Sequence, residues 1–292
     1  MKKMRKRIIS IPMIVLMIVL GIYTISVFIP LVWGFMVSFK SRTNFVEFPF
    51  GFPDRLVFNN YVIAVKNFEY TLDGTTGESV GIGVMLVNTL LYSLGSAFFS
   101  TMSACIVAYA TSRFNFFTSK IIYGIVIVTM ALPIIGSMPS ELYIVKTLQL
   151  YDSHIGMWVL KSSFLGLYYL IFFAMFKGIP KDYSDAASVD GASHYRIFFT
   201  IMLPLVLKTF STVYLLYFIG FWNDYQTPLI YMPSFPTLAM GLYSFTFSTN
   251  YEVGSVPIKM SGNFLIFVPI LIVFLVFRNK LLGNISMGGI KE

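Results

Sequence analysis

Charge is what this chain has least of. Only 12% of its 292 residues are Asp, Glu, Lys or Arg, about half the share found in soluble domains. So few charges exclude a solvated surface over most of the molecule. Cysteine is nearly missing. Cys105 alone cannot form an internal disulfide, and no metal-ligand residue types neighbour it, so it reads as a small apolar packing residue. The two histidines, His154 and His194, are far apart and neither has ligand spacing to another His or Cys. No H-E-x-x-H, Ser/His/Asp set or paired carboxylate is visible, so catalysis finds no support. No G-x-x-x-x-G-K-[ST] loop occurs, nor any Gly-Lys pair, which excludes ATP binding by that mechanism.

What remains is apolar. Hydrophobic residues make up 57% of the chain, and the mean hydropathy is +0.76. Uncharged runs from Ile8 to Phe39 and from Ser79 to Ser112 exceed the roughly 20 residues a helix needs to cross a bilayer. The pattern predicts an all-α polytopic membrane protein, a single transmembrane domain over residues 1–292, with six spans near 9–37, 83–110, 119–140, 157–176, 203–223 and 261–280. The N-terminal MKKMRKR resembles the start of a signal peptide. The apolar run behind it is too long for one and no A-x-A site follows, so it is expected to remain as the first span. Lys161 and Lys208 fall near span ends, where long side chains snorkel to the interface.

The net charge of +8 arises from Lys and Arg flanking the spans and does not point to nucleic acid. With both termini in the cytoplasm, fourteen of the 21 basic residues lie inside and seven outside, as the positive-inside rule requires. Two outer segments are long. Residues 40–82 carry the turn signals PFGFPDR and LDGTTGES. Residues 224–260 carry Pro228, Pro233, Pro236 and Pro257, which argue against a further span.

Between the fourth and fifth spans, on the cytoplasmic side, lies DAASVDGASHYRIFFTIMLP, residues 185–204. Its first half is small and polar. Lys181–Val189 has helix chemistry, with Asp182 or Ser184 as cap. Tyr183, Ala186, Ala187 and Asp190 share a face by their spacing. Gly191 supplies a turn through its tolerance of positive φ. A second helix follows, and Pro204 marks a bend into the fifth span. Alanines let a partner surface come close, and Asp185 and Asp190 offer acceptors to basic groups. This is the chemistry of a docking element.

At these residues the chain resembles the permease subunits of ABC importers. Their EAA signature is E-A-A, three residues, G, nine residues, then I-x-L-P. Here Asp185-Ala186-Ala187, Gly191 and Ile201-Met202-Leu203-Pro204 keep that spacing, with Asp in place of Glu. Further stretches are similar to the shorter permease of carbohydrate importers: DGAS at 190–193, VSFK at 37–40, NNY at 59–61, ELYIVKTLQLYDS at 141–153, WND at 222–224 and the tail GNISMGGIKE.

The resemblance implies a type I importer permease whose coupling loop, residues 180–203, docks a separate ATPase through Asp185, Ala186, Ala187, Asp190, Gly191 and Pro204. It also implies a second, unlike permease subunit, two cytosolic ATPase subunits that hold ATP and Mg, an extracytoplasmic solute-binding protein and a bacterial-type inner membrane. No cofactor is expected in this chain. For the solute path, Glu141 near the outer end of the third span is one candidate, with water-interface placement as the alternative. Trp222 and Asn223 are others: a ring can stack on a sugar and an amide can bond its hydroxyls, although Trp is also common in membrane-interface belts. An ion-coupled secondary transporter of a small polar solute is the competing class. It would bury acids or His in its span centres, and none stands there.

Overall fold

The structure is a computed structural model and describes residues 11–72, 77–114, 116–132, 136–248 and 250–285. The basic N-terminal cluster and the tail from residue 286 lie outside the described residues. The chain runs α1 (Ile11–Ser38), α2 (Arg42–Glu47), α3 (Asn59–Lys66), β1 (Glu69–Thr71), β2 (Ser79–Gly81), α4 (Ile82–Arg113), α5 (Phe117–Ala131), α6 (Met138–Thr147), α7 (His154–Lys161), α8 (Leu167–Gly178), α9 (Asp182–Val189) and α10 (His194–Ile197). A π-helical turn (Phe198–Met202) then leads into α11 (Leu203–Trp222), α12 (Gln226–Tyr231), α13 (Leu238–Phe247) and α14 (Val256–Ile285).

Four helical runs among the described residues are long and apolar enough to cross a bilayer: Ile11–Ser38, Ile82–Arg113, His194–Trp222 and Val256–Phe277. Shorter apolar helices cover Phe117–Ala131, Leu167–Gly178 and Leu238–Phe247.

The structure corrects several expected boundaries. The third expected span, 119–140, ends early. Leu132 precedes Pro133 and is extended (φ −101°, ψ 120°), because the proline ring disfavours the helical region for the residue before it. The fourth, 157–176, is interrupted over 162–166. There the Ser162 hydroxyl donates to the Val159 carbonyl and the Leu165 amide donates to the Ser163 hydroxyl, local bonds that compete with a helix ladder. The fold is not purely helical either. Glu69 pairs with Gly81 and Thr71 with Ser79 as two short antiparallel strands.

The fifth span starts earlier than its apolar run. His194–Trp222 is one continuous helical run, and Pro204 sits in its first α turn where a bend was expected. Proline has no N–H to offer an α ladder. The preceding π turn, in which Leu203 N–H bonds the Phe198 carbonyl, absorbs that missing donor.

The chain forms two compact units. In the first, residues up to Phe68 together with Phe245–Leu265, the stretches VSFK and NNY meet. Asn60 Nδ2 donates to the carbonyls of Ser38 and Lys40, both at 2.8 Å, and Ser38 Oγ lies 2.8 Å from Tyr61 Oη. Asn60 thus satisfies carbonyls that the end of α1 leaves open. Lys40 is fully buried, its ammonium donating to the Phe48 carbonyl.

The second unit, Glu69–Ser244 with the chain from Ile266 on, is organised by α4. Thr89, Ser93, Ser96, Ala97, Ser100, Thr101, Ala104 and Ala108 form a buried stripe of small residues along it. Small side chains let helices approach closely where no water drives them together. The hydroxyls of Thr89, Ser93 and Thr101 are satisfied by the carbonyl four residues back. Against the other end of α4 packs an apolar core of Tyr169, Phe172, Phe176, Ile197, Phe198, Met202 and Val206, with buried Cys105 inside it.

Candidate functional site

Two places in the second unit carry polar chemistry. The first is the loop between α8 and α11. Helix α9 begins after Lys181, and no side chain caps it: Asp182 does not, and Ser184 donates its hydroxyl back to the Lys181 carbonyl. The expected cap is therefore replaced by two carboxylates, Asp182 and Asp185, in the first turn, where they favour the positive end of the helix dipole.

The helix stops as expected. Gly191 has φ +79°. Its N–H bonds the Ser188 carbonyl, and Ala192 N–H bonds the Ala187 carbonyl. This 5→2 and 6→1 pair is a Schellman motif, which needs a left-handed residue at the position Gly191 fills. Ser193 then caps α10 by accepting from Arg196 N–H.

Asp185, Ala186, Asp190 and Gly191 are exposed, while Ala187 is half-buried against the apolar core beneath. So the two alanines divide the work: one faces out and one seats the helix. Val189 is 88% exposed and Tyr195 81% exposed on the same loop. The spacing argument singled out neither. Their signal was only that they are apolar in a polar stretch.

The second place is a cavity of about 320 Å³ lined by Ser137, Met138, Glu141, Leu160, Lys161, Gln226, Thr227, Ile230 and Tyr231. Glu141, in the first turn of α6, accepts from Tyr231 Oη at 3.4 Å. Lys161 does not snorkel alone. Its ammonium donates to Thr227 Oγ1 at 2.9 Å and stands 3.5 Å from Asp224 Oδ2. Asp224 also accepts from Tyr92 Oη at 2.8 Å and from Thr227 N–H at 3.0 Å. Burial alone would raise the Asp224 carboxyl. The Thr227 hydrogen bonds, the Lys161 charge and the Tyr92 hydroxyl outweigh it and hold the group below its usual range.

Trp222 is 3% exposed, its ring tilted against Phe218, and its Nε1 has no hydrogen-bond partner among the described residues. Asn223 is exposed, with its amide donating to the Ile219 carbonyl. Neither lines the cavity, whereas Glu141 does. Lys161 and Asp224 were invisible as a pair because 63 positions separate them. Among the described residues no group of three or more His, Cys, Asp or Glu is placed to hold a metal.

The family described as binding-protein-dependent transport system inner membrane component matches residues 100–281. The chain is 24% identical, over 91% of its length and 85% of the relative's, to the diacetylchitobiose uptake system permease protein NgcG of Streptomyces coelicolor. It is 28% identical, over 79% of its length and 80% of the relative's, to the arabinooligosaccharides transport system permease protein AraQ of Bacillus subtilis. Its fold is that of a chain in a bacterial ABC transporter involved in importing the acidic polysaccharide alginate. There the TM-score is 0.76 at 20% identity, covering 95% of this chain and 99% of the other.

Proposed function

Because the chain belongs to the family of inner-membrane components of binding-protein-dependent transport systems, we propose that it lines part of the membrane pathway of an ATP-driven importer of sugars or oligosaccharides. It is a transport subunit and not an enzyme. The sugar assignment draws on the relatives, whose names specify diacetylchitobiose and arabinooligosaccharides.

The observation that carries the mechanism is the exposed α9 closed by a Schellman turn. The helix is seated from below by Ala187 and leaves Asp185, Ala186, Asp190 and Gly191 to a cytosolic ATPase, with Pro204 fixing where the loop rejoins α11. ATP and Mg belong on that ATPase. Closure of an ATPase pair would draw two such loops together, one from this chain and one from a second, unlike permease. A solute-binding protein would deliver sugar to the opposite face. In this reading residues 1–292 form one permease domain of six spans with both termini inside. The segment 117–147 makes the third span and 154–178 the fourth, each with its break. Glu141, Lys161 and Gln226 line the solute path and offer hydroxyl-binding groups, while Trp222 and Asn223 close the end of α11 beside it.

The test is purification of the tagged chain in mild detergent with identification of what accompanies it, followed by uptake of labelled oligosaccharides into vesicles. Co-purification of an ATPase and a second permease, and uptake that requires ATP, is the expected result. Replacing Ala187 and Gly191 with bulky residues should release the ATPase and leave the second permease bound. Uptake by the chain alone, abolished by a protonophore and indifferent to ATP, would overturn the reading in favour of ion-coupled transport.

A further inference from the structure

Arg113 ends α4, and its side chain reaches under the neck of the coupling loop. The Nη2 atom donates to the Ile179 carbonyl at 2.8 Å and lies 3.9 Å from Met202 Sδ. Ile179 is the last residue before the loop. Met202 belongs to the π turn through which the loop returns. One guanidinium nitrogen therefore touches both strands of the neck. Its Nε is buried and has no hydrogen-bond partner among the described residues, so the group has a further donor to give when the neck moves.

The surroundings keep it in place. Tyr109, one turn back on α4, packs edge-on to Phe176 at 5.3 Å and against Phe198 at 5.0 Å. Phe114, the next residue, meets the His194 ring edge-on at 5.1 Å. Arg113 is thus the charged member of an otherwise apolar clasp between α4 and the loop.

Helix α4 continues unbroken from this clasp to Tyr92, about 31 Å away at 1.5 Å per residue. There it donates the hydrogen bond to Asp224 beside the polar cavity. A single helix carries the loop's neck at its C-terminal end and the hydrogen bond to the cavity's ion pair 21 residues back along it.

We propose that Arg113 is a positioning residue that transmits displacement of the coupling loop into α4, and through α4 to the cavity. The inference rests on the reading that an ATPase docks on this loop. Planar guanidinium geometry suits the role because several donors leave one rigid group, so a shift of either strand is felt by the same helix end.

The experiment uses the assembled importer in proteoliposomes and reads ATP hydrolysed per solute imported, with Arg113→Gln and Arg113→Lys. The expected result for Gln is intact subunit composition, continued ATP hydrolysis and about a tenfold rise in ATP used per solute, the scale of one charge-assisted hydrogen bond. Lys, a point charge without the planar fork or the spare Nε donor, should give an intermediate ratio, and it supplies the measurement if the Gln variant does not assemble. Tyr92→Phe, further back along the same helix, should raise the ratio as well. A wild-type ratio in the Arg113 variants, even with a lowered melting temperature, would overturn the proposal by making the residue merely structural. Loss of the ATPase from the Arg113 variants would also overturn it, by placing the residue in the docking surface. Absence of any ATPase from the wild-type complex would instead sink the docking reading itself.

Discussion

Tyr92 and Asp224, 132 positions apart, are joined by a 2.8 Å hydrogen bond from phenol to carboxylate. Lys161 completes the arrangement from α7, 3.5 Å from the same carboxylate oxygen. Three helical segments are tied together by a charge placed just beyond the end of α11.

That arrangement makes Asp224→Asn costly. The substitution leaves Lys161, three-quarters buried, without its counter-charge, and a loss of about 2 kcal/mol is expected, between the values for exposed and fully buried pairs. A double variant, Lys161→Met with Asp224→Leu, should recover part of the loss because no unpaired charge remains. Thermal melting of wild type, Asp224→Asn and the double variant in one detergent checks both statements. Equal melting of Asp224→Asn and wild type would show that the pair contributes nothing.

The same carboxylate sets a pH expectation. Its folded pKa lies below the ordinary value, so its stabilising contribution is fully present above the unfolded pKa of about 3.9. That contribution is lost only as pH falls through the lower, folded value. Between pH 7.5 and 5.5 neither melting nor uptake should change through this group. Uptake that tracked Asp224 protonation in that window would instead mark a proton-coupled carrier.

At Gly191 the demand is on the backbone alone. Nothing lies within 4 Å of where a Cβ would stand, yet φ is +79°. Gly191→Val should therefore destabilise the turn by about 1–2 kcal/mol, while Gly191→Asn should do less because Asn tolerates the left-handed region. ATPase retention in a pull-down should follow the order Gly, Asn, Val. A graded loss by side-chain volume, with Asn as harmful as Val, would mean that contact with the partner matters and conformation does not.

Gly95 is limited by space. A Cβ there would fall 2.1 Å from Trp158 Nε1. The indole lies against the α4 backbone, donates to the Leu91 carbonyl at 3.0 Å and stacks on Phe99. Gly95→Ala should displace the ring and cost about 1–3 kcal/mol by overpacking. Adding Trp158→Leu should relieve the clash, so the double variant should melt above Gly95→Ala. If the double variant melts lower still, the close approach is not what fixes Gly95.

Much of this was legible from residues alone. Long apolar runs located α1, α4 and α14, because membrane helices must satisfy every backbone group internally and so declare themselves by length. Gly191 was legible because a positive-φ turn admits few residues. The break at 162–166 was not, since two serines and a glycine inside an apolar run look like continuation. The cavity was legible only in part. Glu141 stood out as an acid at a span end, but Lys161 looked like an ordinary snorkelling side chain until folding brought it to Asp224. The prolines of 224–260 argued against a long span there, and they hid two short helices, α12, which contains Pro228, and α13, which starts just after Pro236.

The π turn at Phe198–Met202 is an α-helix carrying one surplus residue. Its consequence is a phase setting. Deleting one residue there would rotate everything before it by about 100° relative to α11. Asp185, Ala186 and Tyr195 would all survive, chemically intact, and all would be aimed elsewhere. The direction in which this loop faces its partner is thus recorded in a residue count, and no side chain holds that information.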